Sequence, residues 1–170
     1  MKTVHLEPMP LTQERFSRFG DVIEIGRGER ILINQGTTER FHALATIDTE
    51  HEGGRPILSI FRATARPAPI KIALMERHPL GSQAFYPLQN APWLIVVSAA
   101  AKPAPENLEA FWARGDQGVQ YARNVWHHPL LVIEPTQDFL VADRAGEGDN
   151  LEEVQFETGT AFLNAPHLDR

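Results

Sequence analysis

Ile70-Lys71-Ile72-Ala73-Leu74-Met75-Glu76-Arg77-His78 alternates between two kinds of side chain and changes character at its end. On a strand, neighbouring side chains point to opposite faces, which groups Ile70, Ile72, Leu74, Glu76 and His78 together. Lys71, Ala73, Met75 and Arg77 share the other face. The apolar series marks the inward side, and it closes on two ionisable groups. Burying a carboxylate and an imidazole costs several kcal/mol unless they are paired, hydrogen-bonded or bound to a metal. The strand's end is therefore a candidate site. The plain alternative ends the strand at Leu74 and leaves Glu76 and His78 in a solvated turn before Pro79.

Working outward, the chain reads as short strands at 21–25, 29–33, 41–47, 57–62, 70–78, 84–88, 93–99, 119–122, 130–134, 138–143 and 151–157. Gly, Pro, Asn and Asp punctuate them, and the 13 prolines and 12 glycines supply enough turns. Two short helices are expected. One starts at Thr12, a good N-cap, and ends at Gly20; the other follows Pro103 and Pro105 and ends at Gly115. Many short strands and few helices point to an all-β sandwich or barrel. With 170 residues and no linker or repeat, the chain reads as one domain, 1–170.

The composition removes several functions. Without cysteine there is no disulfide framework, thiolate metal site or cysteine nucleophile. A net charge of −6 without a Lys/Arg cluster argues against nucleic acid as a partner. The longest apolar run, 93–101, is too short for a membrane span, and the first residues lack a signal-peptide core. A cytoplasmic protein acting on a small molecule is the expectation.

Two further clusters carry chemistry. In Gly118-Val119-Gln120-Tyr121-Ala122-Arg123-Asn124-Val125-Trp126-His127-His128-Pro129-Leu130, alternation lets only one of His127 and His128 enter a given pocket. Histidines from two strands can hold a divalent metal or serve as an acid–base pair, and a structural His beside an apolar run is the competing reading. Asn34-Gln35-Gly36-Thr37-Thr38-Glu39-Arg40-Phe41-His42 is a donor-rich turn. It is either a plain Asx-type turn or a carboxylate-binding loop built on Arg40. No Gly-rich phosphate loop, nucleophile elbow or His-Glu-x-x-His is present.

Together, 75–85, 118–130, 34–42 and Ser59-Ile60-Phe61-Arg62-Ala63 resemble the signature segments of the ureidoglycolate lyase family. The resemblance implies a cupin-like double-stranded β-helix, a jelly-roll barrel, with the two short helices at its periphery. It also implies a homodimer and a place in allantoin breakdown within purine metabolism, where ureidoglycolate is split into glyoxylate and urea. Laid over these positions, the wider cupin pattern places Glu76, His78, Gln83 and His127 as ligands, with Asn124 where a glycine commonly sits. The family is described with nickel. Two histidines, a glutamate and a glutamine form a poorer transition-metal set than three histidines and a glutamate, so metal-free catalysis stands beside the metal-dependent reading.

Lyase chemistry needs one base and one acid. His78 and His127, with Glu76, are the expected acid–base groups, and Gln83 holds the ureido or hydroxyl group. Arg40 or Arg123 holds the carboxylate, Asn34 belongs to the same binding loop, and Tyr121 and Trp126 line the pocket. A hydrolase releasing ammonia, and a non-catalytic cupin binding a small carboxylate, are the alternatives.

Overall fold

A computed structural model describes residues 3–157 and 159–164. The chain is built on mainly antiparallel sheets that stay open at their edges, the jelly-roll sandwich expected of a cupin-like sequence, with parallel pairing only of Thr3–Leu6 on Thr160–Leu163 and of Met9–Pro10 on Glu109–Ala113 among the described residues. A five-stranded sheet runs Gly20–Ile23, Gly118–Tyr121, Gln83–Pro87, Thr136–Ala145 and Arg55–Thr64 in spatial order. Facing it is a seven-stranded sheet ordered Glu152–Gln155, Leu74–Arg77, Trp126–His127, Trp93–Ser98, Glu109–Ala113 and Met9–Pro10, with Leu131–Val132 also pairing onto Trp93–Ser98. Behind that, Thr3–Leu6, Thr160–Leu163 and Ile70–Ile72 make a three-stranded sheet. Glu29–Ile33 and Thr38–His42 form a separate hairpin.

The seven-stranded sheet divides two cores, which explains why Trp93–Ser98 is buried at every position. Trp93, Ile95 and Val97 join Phe16, Phe19, Phe85, Phe111, Tyr121 and Phe139 toward the five-stranded sheet. Leu94 and Val96 point the other way, onto Ile70, Ile72, Met75, Trp126 and Leu163. Strands buried on both faces read as continuous apolar runs, as 93–98 does.

This division corrects the reading of 70–78. Ile70–Ile72 belongs to the three-stranded sheet and Leu74–Arg77 to the seven-stranded one. The chain changes sheets at Ala73, whose carbonyl accepts from Phe156 N at 2.9 Å, and the alternation resets there. Met75, not Leu74, joins Ile70 and Ile72 in the second core. Glu76 therefore lies on the opposite side from Ile72, toward the core between the two large sheets. The series predicted an inward Glu76, but for the wrong face.

The helices are smaller than expected. Thr12 Oγ1 accepts from Arg15 N, yet the helix is one turn, Gln13–Phe16. Phe16 and Phe19 are both fully buried, and Gly20 opens a strand instead of capping a helix. After Pro103, only a 3-10 turn forms at Pro105–Asn107, and Glu109–Ala113 is a strand. Its adjacent Phe111 and Trp112 serve opposite cores, an arrangement that carries no two-residue polarity signal. Among the described residues, no helix is long and apolar enough to cross a membrane.

Gly20 has φ +147, and a Cβ there would collide with the Gln120 carbonyl oxygen across the paired strand. Gly20→Ala is expected to cost about 1–3 kcal/mol through backbone strain, read as a lower urea midpoint. An unchanged midpoint would show that this pairing bears no such constraint.

Candidate active site

Glu76 sits directly opposite His127 across paired strands, so their side chains emerge on one face. His78 follows two residues after Glu76, just past the strand's end. One ligand-type atom from each of Glu76, His78 and His127 lies within 4.8 Å of the others. The His127 Nε2 to Glu76 Oε1 distance is 3.6 Å, a close charge contact rather than a full hydrogen bond. The two imidazoles are tilted, with centroids 5.3 Å apart.

Both rings are held by backbone. His78 Nδ1 lies 2.7 Å from the Asn150 carbonyl oxygen, and His127 Nδ1 lies 2.9 Å from that of Val125. A carbonyl accepts only from N–H, so these contacts assign the proton to Nδ1 in each neutral ring. Each Nε2 then carries a bare lone pair. Both Nε2 atoms are buried without a hydrogen-bond partner. Tyr121 stacks on the His127 ring at 4.1 Å and 9°, fixing its plane.

Asn150 holds the other histidine by two routes. Its carbonyl takes the His78 proton, and its side-chain oxygen accepts from Leu80 N at 2.8 Å. Asn124 N donates to the His78 carbonyl at 3.0 Å, and Asn124 adopts φ 73. That is the left-handed conformation expected where asparagine replaces glycine.

Glu76 and Gln83 line one cavity of about 460 Å³, together with Phe61, Arg66, Phe85 and Leu130. Gln83 Nε2 donates to Asp143 Oδ2 at 3.3 Å, which leaves Gln83 Oε1 buried and unpartnered. Burial alone would raise the Glu76 carboxyl. His127 at its side, then the nearby His78 and His128, outweigh burial and hold it below the usual carboxylate range. Tyr121 is raised by burial first and by Glu76 second, so its phenol stays neutral.

The group fits a divalent cation. Two lone-pair Nε2 atoms, a carboxylate and the Gln83 amide oxygen are nitrogen and oxygen donors on rings already oriented by backbone carbonyls.

Four of the expected binding residues lie elsewhere. Trp126 faces the second core, donates to the Ala101 carbonyl at 3.3 Å, and carries the Arg77 guanidinium 4.5 Å over its ring. The alternation that separates His127 from His128 separates Trp126 from His127 as well. Arg123 is exposed, with Nε 3.5 Å from Asp48 Oδ2 and a bond to the Pro79 carbonyl. Asn34 bonds Thr38 at the hairpin turn, and Arg40 is exposed on the returning strand. Neither lines the cavity in this chain. Sequence reasoning missed Asn150, Asp143 and Arg66. Asn150 ends the glycine-containing 146–150 segment, and nothing near it in sequence signals His78.

His128 is a separate matter. Burial pushes its imidazole down to about 4, with Arg66 adding to the fall and a bond to the Pro129 carbonyl opposing it. An unfolded His titrates near 6.5, so between about 6.5 and 4 the unfolded chain binds a proton that the fold does not. His128 therefore draws stability down as pH falls through that window. Urea titrations at pH 7 and pH 5 are expected to show a loss that shrinks by about 1–2 kcal/mol in His128→Gln. An equal loss in both proteins would contradict this.

The family model described as "Ureidoglycolate lyase" matches residues 2–162. A ureidoglycolate lyase of Brucella melitensis biotype 2 is 55% identical over 147 residues, covering 86% of this chain and 87% of its own. One from Rhizobium etli is 52% identical over 153 residues, covering 90% and 92%. Solved structures of Bacillus subtilis oxalate decarboxylase overlay with TM-score 0.37 at 10% identity, over 59% of this chain and 23% of theirs.

Proposed function

The chain belongs to the ureidoglycolate lyase family, and we propose that it cleaves the carbon–nitrogen bond of ureidoglycolate to give glyoxylate and urea. The observation that carries the mechanism is the meeting of two buried, unpartnered Nε2 atoms and a carboxylate, with Glu76 and Gln83 lining one cavity. Ureidoglycolate bears a hydroxyl and a ureido nitrogen on the same carbon. One imidazole Nε2 takes the hydroxyl proton; the oxygen's electrons form the aldehyde carbonyl as the C–N bond breaks. The proton taken up by that Nε2, passed on directly or by way of Glu76 or the second imidazole, is delivered to the departing nitrogen, which leaves as urea. Proton loss and gain balance, and neither an oxidant nor a nucleophile is needed.

Gln83 Oε1, left free by the bond to Asp143, accepts an N–H of the ureido group. Phe61 packs on Phe85, and Phe85 on Tyr121, as an apolar wall that limits water near the reacting carbon. Alternatively, Glu76, His78 and His127, with Gln83 as a fourth donor, would hold a divalent cation, for which we propose nickel, and the same lone pairs would then serve as ligands instead of as bases. Bound there, such an ion supplies Lewis acidity that lowers the pKa of a coordinated hydroxyl.

The same reading takes residues 1–170 as one catalytic domain, in a cytoplasmic homodimer working in allantoin degradation. A shared central sheet between two cores supports the first. A chain without cysteine needs no oxidising compartment to fold. Leu58 and Ile60 are 70% and 58% exposed on the outer face of the five-stranded sheet, next to Leu140 opposite Ile60. Such a row is suited to a second copy. Ile60→Asp with Leu140→Lys is expected to give monomers by light scattering while wild type is a dimer. A wild-type monomer would remove this part of the reading.

The defining experiment follows glyoxylate, urea and ammonia together, against spontaneous decay of the substrate. Equal glyoxylate and urea without ammonia is expected; activity that survives chelation assigns the imidazole lone pairs to proton transfer, and activity that returns only with nickel assigns them to the ion. Ammonia in place of urea would make the protein a hydrolase. His127→Ala is expected to lower kcat by about 10²-fold or more in a folded protein. Near-normal turnover would take His127 out of the mechanism.

A further inference from the structure

The reaction needs a cation for the substrate's carboxylate, and the two arginines first expected to supply it are turned to other work or stand apart from the cavity. Arg123 is engaged with Asp48 and Pro79, and Arg40 stands on the hairpin. Two arginines do line the cavity that holds Glu76 and Gln83: Arg62 and Arg66. Arg62 is bound side-on by Asp138, at 2.8 Å and 3.0 Å, so its fork is already occupied. Arg66 forms no ion pair or hydrogen bond among the described residues.

Its backbone is nonetheless held in place. Ala65 N donates to the Pro135 carbonyl at 3.1 Å, the Ala65 side chain packs on the main core, and Pro67 fixes the following residue. Its side chain lines the same cavity as Glu76, Gln83, Pro129 and Leu130. A free, always-charged, planar fork lining the same cavity as Glu76 and Gln83 is suited to clamp a carboxylate.

We infer that Arg66 binds the carboxylate of the substrate and so restricts the enzyme to 2-hydroxy-2-ureido acids, rejecting neutral analogues. The inference rests on the lyase reading. In the bound complex, two guanidinium N–H groups reach the carboxylate oxygens. That orientation sets the hydroxyl and ureido groups of the adjacent carbon toward Glu76, the histidines and Gln83. Arg66 touches the unreacting end of the substrate, so its contribution is to binding and choice of substrate more than to proton transfer.

The test compares wild type, Arg66→Gln and Arg66→Lys on ureidoglycolate and on the analogue whose carboxylate is replaced by a primary amide. For Arg66→Gln, KM for the acid is expected to rise roughly 10- to 100-fold, with a much smaller change in kcat. Turnover of the amide, poor in wild type, is expected to stay level, so the preference for acid over amide collapses. Arg66→Lys restores part of the preference, since a point charge replaces a fork. A general loss of folding or site structure would instead lower both substrates alike, and that result overturns the inference. Unchanged kinetics in Arg66→Gln overturn it as well, while wild-type activity leaves the lyase reading intact. A wild type that does not cleave ureidoglycolate removes the lyase reading, and the inference with it.

Discussion

A carboxylate and two imidazoles stand beside a core in which phenylalanine and valine predominate. Such groups are tolerated only where something answers each donor and acceptor. Here the fold answers half of each ring. The carbonyls of Asn150 and Val125 take the Nδ1 protons, and the remaining Nε2 lone pairs face Glu76 without partners of their own. That half-satisfaction sets the chemistry: it leaves basic atoms, orients them, and makes room for a proton or a cation between them.

The surrounding structure serves that arrangement. Glu76 and His127 meet because their strands pair in register, and Tyr121 reaches His127 from the facing sheet. Gln83 pairs in register with Tyr121, so both large sheets contribute to one pocket. The loop ending at Asn150 closes the far side through its main chain and its side chain. Its two contacts are to a ring and to the backbone two residues later, so it locks the His78 turn as a unit.

Much of this was legible in the sequence. Alternation along 70–78 points to Glu76 and His78, the pair of histidines in 118–130 points to His127, the family resemblance adds Gln83, and folding brings these together with Tyr121. What the sequence hid was every decision made by pairing between distant strands. The two-residue period ran unbroken through Ala73, but the chain changes sheets there, and no local signal marks a change of partner. Glu109–Ala113 looked helical because both its faces are apolar, which follows from a sheet with a core on each side. Thr3–Leu6 was silent because its partner, Thr160–Leu163, is almost a chain length away. Arg66 gave no sign for the same reason. Its neighbours in sequence are Ala65 and Pro67, while its neighbours in the cavity are Glu76 and Leu130.

The backbone carbonyls assign the proton of both site imidazoles to Nδ1, which leaves Nε2 to the reaction. Long-range proton–nitrogen correlation NMR on histidine-labelled, metal-free protein at pH 8, with His78 and His127 assigned by substitution, reads this directly. The account predicts a protonated-type Nδ1 shift and an unprotonated Nε2 shift for both rings. Nε2-protonated tautomers at either position would contradict it, because the carbonyls of Asn150 and Val125 would then hold no proton and the reactive lone pairs would point away from Glu76.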